Sequence, residues 1–256
     1  MSLAIETHAL TRYFGDFCAV KGIDLRVERG TFYGFLGPNG AGKSTTIKML
    51  TGLLAPSDGE MFVLGKDMRD PRQALEAKSR IGVIPEDLAL FDNLTAREYL
   101  TFVGRMHLLP KETIRSRIGE LLPLLGLDGE EKKLTVEYSH GMKKKLALAA
   151  AVLANPDLLF LDEPFEGVDA VTSRIIRDIL HGYVARGSTV FLTSHVLEVV
   201  EKLCTHVGII VKGELVEQDS LEAIRRGGSL EDRFLEKAGA DPDATQKLRW
   251  LEETAP

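Results

Sequence analysis

Eight residues, Gly37 to Ser44, read GPNGAGKS and satisfy every fixed position of the pattern GxxxxGK[ST]. A segment of this kind is built to hold a chain of phosphates. Gly37, Gly40 and Gly42 let the backbone turn so that several N–H groups converge on one anion with no side chain in the way. The cation of Lys43 then bridges β- and γ-phosphates, the Ser44 hydroxyl meets Mg²⁺, and Thr45 stands at the positive end of the next helix. Pro38, Asn39 and Ala41 complete the cradle. A plain glycine-rich turn capping a helix would share the composition. The strand-like TFYGFLG in front and the helical spacing of TTIKMLTGLL behind favour the phosphate reading.

The chemistry also needs a carboxylate at the end of a neighbouring strand, and DLLFLDEP supplies one. Leu158 to Leu161 reads as a buried strand, and Asp162 at its end suits Mg²⁺, directly or through water. Glu163 is placed to orient and deprotonate an attacking water. An apolar run before Asp-Glu says little by itself; behind a complete phosphate cradle it says more.

The elements that must carry these residues follow from patterning. Short alternating segments between Ile5 and Val27, separated by Gly15 and Gly22, predict antiparallel strands ahead of the main core. A hairpin element is expected around GEMFVLG, and a buried strand in IGVIPE ending at Pro85. From Asp87 to Glu137, TAREYLTFVGRMHLL and ETIRSRIGELLPLLG have helical periodicity, which predicts an inserted helical lobe. Strand-like DLLFLDEP, STVFLTSH and THVGIIVKG then alternate with the helical SRIIRDILHGYVARG and VLEVVEKLC, the order expected of a mostly parallel sheet covered on both faces. After Gln218, SLEAIRR and LEDRFLEKAG predict short helices and then a polar, frayed end.

With 256 residues, 44% of them hydrophobic, the chain has ample material for a full core. Its longest aliphatic run, Leu146 to Ala154, falls far short of the about 20 residues that cross a bilayer. The first residues show no basic leader or apolar block, so a cytosolic location is expected. Cys18 and Cys204 stand apart, without the spacing of a zinc site or a disulfide framework. A formal charge of −6 with dispersed basic residues gives no basic stripe, and no nucleic-acid partner is expected.

Six segments in order complete the pattern: GPNGAGKST (Gly37 to Thr45), IGVIPE (Ile81 to Glu86), YSHGMKKKL (Tyr138 to Leu146), LLFLDEP (Leu158 to Pro164), EGVDA (Glu166 to Ala170) and TSH (Thr193 to His195). Over nearly the whole chain this series resembles the ATP-binding cassette family. The resemblance implies an α/β fold: a P-loop NTPase core with a mostly parallel sheet, an N-terminal antiparallel β-subdomain and an inserted helical subdomain. It places the ATP-binding domain at 1–218, its helical subdomain at about 87–155, and a short helical C-terminal extension at 219–256.

It implies roles as well. YSHGM resembles the family's signature loop, so Ser139 and the backbone at Gly141 would bind, from a helix N-terminus, the γ-phosphate held by an opposing subunit. Two chains, alike or different, would sandwich two ATP molecules. Gly167, Val168 and Asp169 resemble the loop crossing that seam, and His195 the histidine that contacts the γ-phosphate and positions water. Catalysis would then rest on Glu163, His195 and Lys43. An aromatic just before Gly15 resembles the residue that stacks on adenine; Phe14 fits that spacing better than Tyr13, and a core position is the alternative for either ring. Glu86 stands where the family usually has Gln, and would coordinate Mg²⁺ or water together with Ser44 and Asp162. His140 replaces a usual Gly and Met142 a usual Gln.

The implied function is an ATP-hydrolysing motor subunit of a membrane transporter, an exporter by its signature loop and tail. It would lie on the inner face of the cell membrane through a separate permease. A non-transport cassette ATPase acting on ribosomes, nucleic acid or a protein assembly is the alternative; such proteins typically carry two cassettes or long insertions.

Overall fold

The computed structural model describes residues 2–239, so the expected end of the C-terminal extension, 240–256, lies outside the described residues. The chain opens with β1 (Leu3–Phe14), β2 (Phe17–Ile23) and β3 (Arg26–Glu28), then β4 (Phe32–Leu36), α1 (Lys43–Leu50), β5 (Asp58–Val63), β6 (Lys66–Asp67), α2 (Pro71–Lys78) and β7 (Ile81–Ile84). Next come α3 (Ala96–Met106), α4 (Lys111–Leu124), 3₁₀ turns at Asp128–Glu130 and Thr135–Glu137, and α5 (His140–Leu153). The rest is β8 (Leu158–Asp162), α6 (Ala170–Ala185), β9 (Thr189–Ser194), α7 (Leu197–Leu203), β10 (His206–Val211), β11 (Glu214–Ser220), α8 (Leu221–Arg226) and α9 (Leu230–Ala238).

Two sheets result. The N-terminal one has the order β2-β1-β5-β6, with β3 also on β1, and all its pairings are antiparallel. The central one has the order β11-β10-β4-β9-β8-β7, parallel except for the β10–β11 hairpin at its edge. The expected mostly parallel sheet with an antiparallel region ahead of it is therefore present.

Side chains alternate across a strand, and here the alternation separates two cores. Phe32, Leu36, Leu159, Leu161, Val190 and Leu192 face a cluster shared with α3 to α9. Tyr33, Phe35, Leu158, Phe160 and Phe191 face the other, shared with α1 and the antiparallel sheet. Phe191 anchors the second, with Tyr33 stacked at 5.4 Å and Phe160 tilted at 5.7 Å between ring centroids. Every residue of β8 is buried, as a central strand covered on both faces requires.

The helical lobe forms where periodicity predicts it. Thr95 starts α3 with a full capping box, its hydroxyl accepting from Glu98 N–H while Glu98 reaches back to Thr95 N–H. Gly104 lets α3 and α4 approach: an added Cβ would stand 2.7 Å from the Ile114 side chain. At the far end, β11 runs through Ser220, two residues past the boundary expected at 218, and Leu230 of α9 is fully buried in the first core.

The two rims of the parallel sheet differ. At one, the carboxyl ends of β4, β9 and β8 lie in register, Leu36 beside Ser194 and Thr193 beside Asp162. At the other, connecting loops tie to each other: Asp157 N–H donates to the Arg80 carbonyl, Thr189 N–H to the Asp157 carbonyl, and the Ser188 hydroxyl to the Pro156 carbonyl.

Candidate nucleotide site

The GPNGAGKS segment links β4 to α1, strand to loop to helix as expected. Gly40 and Gly42 take positive φ, +77° and +108°, a conformation that disfavours any side chain. Gly37 is required for a different reason. An added Cβ there would lie 2.4 Å from the Ile210 carbonyl oxygen, so close approach to β10, not backbone twist, excludes larger residues. Lys43 is folded back under the loop, its ammonium donating to the carbonyls of Gly37 at 2.7 Å and Pro38 at 3.3 Å.

The loop borders a cleft of about 370 Å³, lined by Asn39, Gly40, Gly42, Lys43, Ser44 and Thr45 on one side. Glu86, Glu163, Glu166 and His195 complete the lining, together with Ala19 and the exposed rings of Phe14 and Phe17. Phe14 lines the cleft and Tyr13 does not. The Arg12 guanidinium sits 4.7 Å from the centre of its ring. Gly37, Pro38 and Ala41 support the loop from behind and do not line the cleft.

Phe17, Ala19 and Glu166 are absent from the sequence-based set. Phe17 was accessible to reasoning: a two-residue link, Gly15-Asp16, pairs Phe14 directly with Phe17 across the hairpin and brings two aromatics to one tip.

At the end of β8 the carboxylates take distinct roles. Asp162 is 3% exposed, and its Oδ1 accepts from the Thr193 hydroxyl at 2.5 Å. Burial raises its pKa; hydrogen bonds from Thr193 and Ser44 oppose the rise, and the charges of Glu86 and Glu163 add to it. Ser44 donates its proton to Glu86 Oε2 at 3.0 Å and lies close to Asp162, so the three residues expected to meet a metal are neighbours.

Glu163 is 7% exposed and holds φ at +48°, a left-handed conformation costing a non-glycine residue roughly 1–2 kcal/mol. Its N–H donates to Thr193 Oγ1 at 3.1 Å. Its Oε1 lies 3.6 Å from Lys43 Nζ and 3.0 Å from His195 Nδ1. Neither approach is aligned as a hydrogen bond, and Oε1 is left a buried acceptor without a partner. A buried carboxylate oxygen that faces a phosphate loop and accepts no aligned hydrogen bond is suited to take a proton from a guest.

Ser139 and Gly141 lie elsewhere. Ser139 is the N-cap of α5, accepting from Met142 N–H at 3.3 Å, and neither residue lines this cleft. The helix N-terminus expected there is present, on the surface of the same chain.

A phosphate loop between a parallel strand and a helix, facing carboxylates at the end of β8, which is separated from β4 by β9, defines a P-loop nucleoside triphosphatase. The ABC transporter family pattern matches residues 20–166. The bacitracin transport ATP-binding protein BcrA of Bacillus licheniformis is 39% identical over 227 residues, 88% of this chain and 72% of that one. The probable multidrug ABC transporter ATP-binding protein YbhF of Escherichia coli (strain K12) is 36% identical over 237 residues; the match spans 91% of this chain and 40% of YbhF. A solved ATP-binding subunit of an ABC transporter superposes with TM-score 0.85 at 27% identity, covering 93% of this chain and all of its own. The chain belongs to the ABC transporter family as an ATP-binding, ATP-hydrolysing cassette.

Proposed function

We propose that this cassette powers an exporter, closing head to tail with a second cassette, identical or homologous, over two ATP molecules and driving a separate permease at the inner face of the membrane. The names of BcrA and YbhF, a bacitracin transporter and a probable multidrug transporter, support the exporter reading. No helix among the described residues is long and apolar enough to cross a membrane. Residues 1–218 would form the motor, with the lobe at about 87–155 carrying its movement to the permease and 219–256 extending it.

One observation carries the catalytic part: the Oε1 of Glu163, buried between Lys43 and His195 with no aligned hydrogen-bond donor. In this reading Glu163 aligns the attacking water and accepts its proton, while His195 contacts the γ-phosphate. Lys43 exchanges its two backbone carbonyls for the β- and γ-phosphates. The N–H groups from Gly40 to Thr45 and the N-terminus of α1 hold the remaining oxygens. Phe14 stacks on adenine, with Phe17 beside it. Ser139 and Gly141 serve the nucleotide held by the other cassette.

The donor set fits Mg²⁺. Among the described residues no three His, Cys, Asp or Glu side chains form a self-sufficient metal cage. Magnesium commonly takes one or two carboxylates and completes its shell with substrate phosphates and water. Ser44, Asp162 and Glu86 would hold it, and once bound it would neutralise charge on the β- and γ-phosphates.

Glu163→Gln tests the reading. It should keep ATP affinity, nearly stop turnover and accumulate an ATP-bound dimer in gel filtration. A variant that stays monomeric with ATP would count against the sandwich, and one that hydrolyses ATP normally would remove Glu163 from the chemistry.

A further inference from the structure

Helix α5 packs its second turn against the sheet, and among its buried leucines and alanines stands one charged side chain, Lys144, 6% exposed. Burial of an ammonium is costly unless its donors are satisfied. Those of Lys144 reach main-chain oxygens: Nζ donates to the carbonyl of Glu163 at 3.0 Å and to the carbonyl of Glu166. Burial lowers the pKa of Lys144, while the charges of Glu166, Glu163 and Glu86 act to retain its proton.

The two carbonyls bracket the turn that follows β8. Glu163 holds left-handed φ there, with its N–H fixed by Thr193 on one side and its carbonyl by Lys144 on the other. A residue held at both ends in a sparsely populated conformation keeps its side-chain direction only while both restraints persist. The first turn of α5 touches the same loop again, His140 Cδ2 standing 3.2 Å from where a Cβ on Gly167 would be. The helix capped by Ser139 therefore meets the loop bearing Glu163 at two points, one polar and one steric.

We propose that Lys144 is a positioning residue for ATP hydrolysis: from the signature helix it grips the backbone of Glu163 and Glu166 and so fixes the aim of the Glu163 carboxylate. Its side chain is buried and does not line the nucleotide cleft. An apolar residue of the same length would fill the space equally well, so filling alone does not call for a cation there. The grip also gives the signature helix a direct hold on the carboxylate of its own chain. Engagement of Ser139 by a partner's nucleotide would thereby set the geometry of hydrolysis in the chain that owns Ser139.

The inference rests on Glu163 being the water-activating group, so the test carries Glu163→Gln alongside Lys144→Met, Lys144→Gln and Lys144→Arg in the full chain. Steady-state ATP hydrolysis, thermal midpoints and binding of a fluorescent ATP analogue are measured for each. Lys144→Met should lower kcat at least tenfold and leave KM and analogue affinity within twofold of wild type, with Lys144→Arg regaining most of the loss. Should Lys144→Met not fold, Lys144→Gln takes its place with the same expectation. A kcat within twofold of wild type, a change confined to KM, or an arginine variant as impaired as the methionine one would overturn the positioning role. Normal turnover by Glu163→Gln would instead overturn the base assignment, whatever the lysine variants do.

Discussion

Thr193 Oγ1 donates to Asp162 Oδ1 at 2.5 Å and accepts from the N–H of Glu163 at 3.1 Å. One hydroxyl thus fixes both members of the acidic pair at the end of β8, from the strand beside it. Thr193→Val keeps the shape and removes the hydroxyl, leaving a buried N–H and a buried carboxylate oxygen each short of a partner. Such losses are worth about 1–3 kcal/mol. Urea unfolding should show a destabilisation of that order, and ATP turnover should fall with it. Unchanged stability would mean that water replaces the hydroxyl.

Lys43→Ala should lose nucleotide affinity. The lysine is 6% exposed and bound to two loop carbonyls, so its ammonium is already confined to the phosphate side of the cleft. Titration with a fluorescent ATP analogue should give a dissociation constant raised by roughly 10-fold or more, the scale of one charge-assisted contact. Normal ATP hydrolysis by this variant would refute the phosphate assignment.

Asp162 gives a pH dependence with a definite sign. Its folded-state pKa is raised, mainly by burial, so between the unfolded value of about 3.9 and the folded value the native chain binds the extra proton. Stability of the nucleotide-free protein therefore falls as pH rises through that window, and the loss is complete above it. Asp162→Asn removes this component and keeps an acceptor for Thr193. Its melting temperature should gain on wild type as pH rises and then level off, while ATP turnover at neutral pH collapses. A constant offset at every pH would show that Asp162 titrates as it does in the unfolded chain.

Phe14→Ala and Phe17→Ala should each weaken ATP binding without affecting the fold, since both rings are largely exposed at the hairpin tip. Base stacking on an aromatic contributes about 1–3 kcal/mol, so the fluorescent-analogue affinity should drop roughly 5- to 150-fold where the ring is used. An unchanged Phe17→Ala would leave Phe14 as the one ring that contacts the base.

The site was largely legible because its residues are local in sequence. The phosphate loop, the Asp162–Glu163 pair and the Ser139 cap each lie within one short segment whose flanking strand or helix has a clear period. Helix α2 escaped notice because PRQALEAK buries only Ala74 and Ala77 and shows little apolar stripe; Asp70 as N-cap and Pro71 at the first position were its available signals. Strand β11 escaped because ELVEQDS is a half-buried, polar edge strand, where pairing with β10 outweighs weak propensity. Lys144 could not be read at all: its partners lie 19 and 22 residues away, and a lysine in a helical run reads as a solvated face. The difference between Gly37 and Gly42 was likewise hidden, since only the β10 neighbour reveals why Gly37 lacks a side chain.

The hydrogen-bonded loops at the rim opposite the phosphate cradle join the ends of the strands whose other ends carry the chemistry. Strands β7, β8 and β9 thereby each divide their labour along their length. Lesions near Pro156 or Ser188 should surface as lowered melting points with enzymatic competence intact in the folded fraction, whereas those near Asp162 or Ser194 should impair turnover in the folded fraction itself.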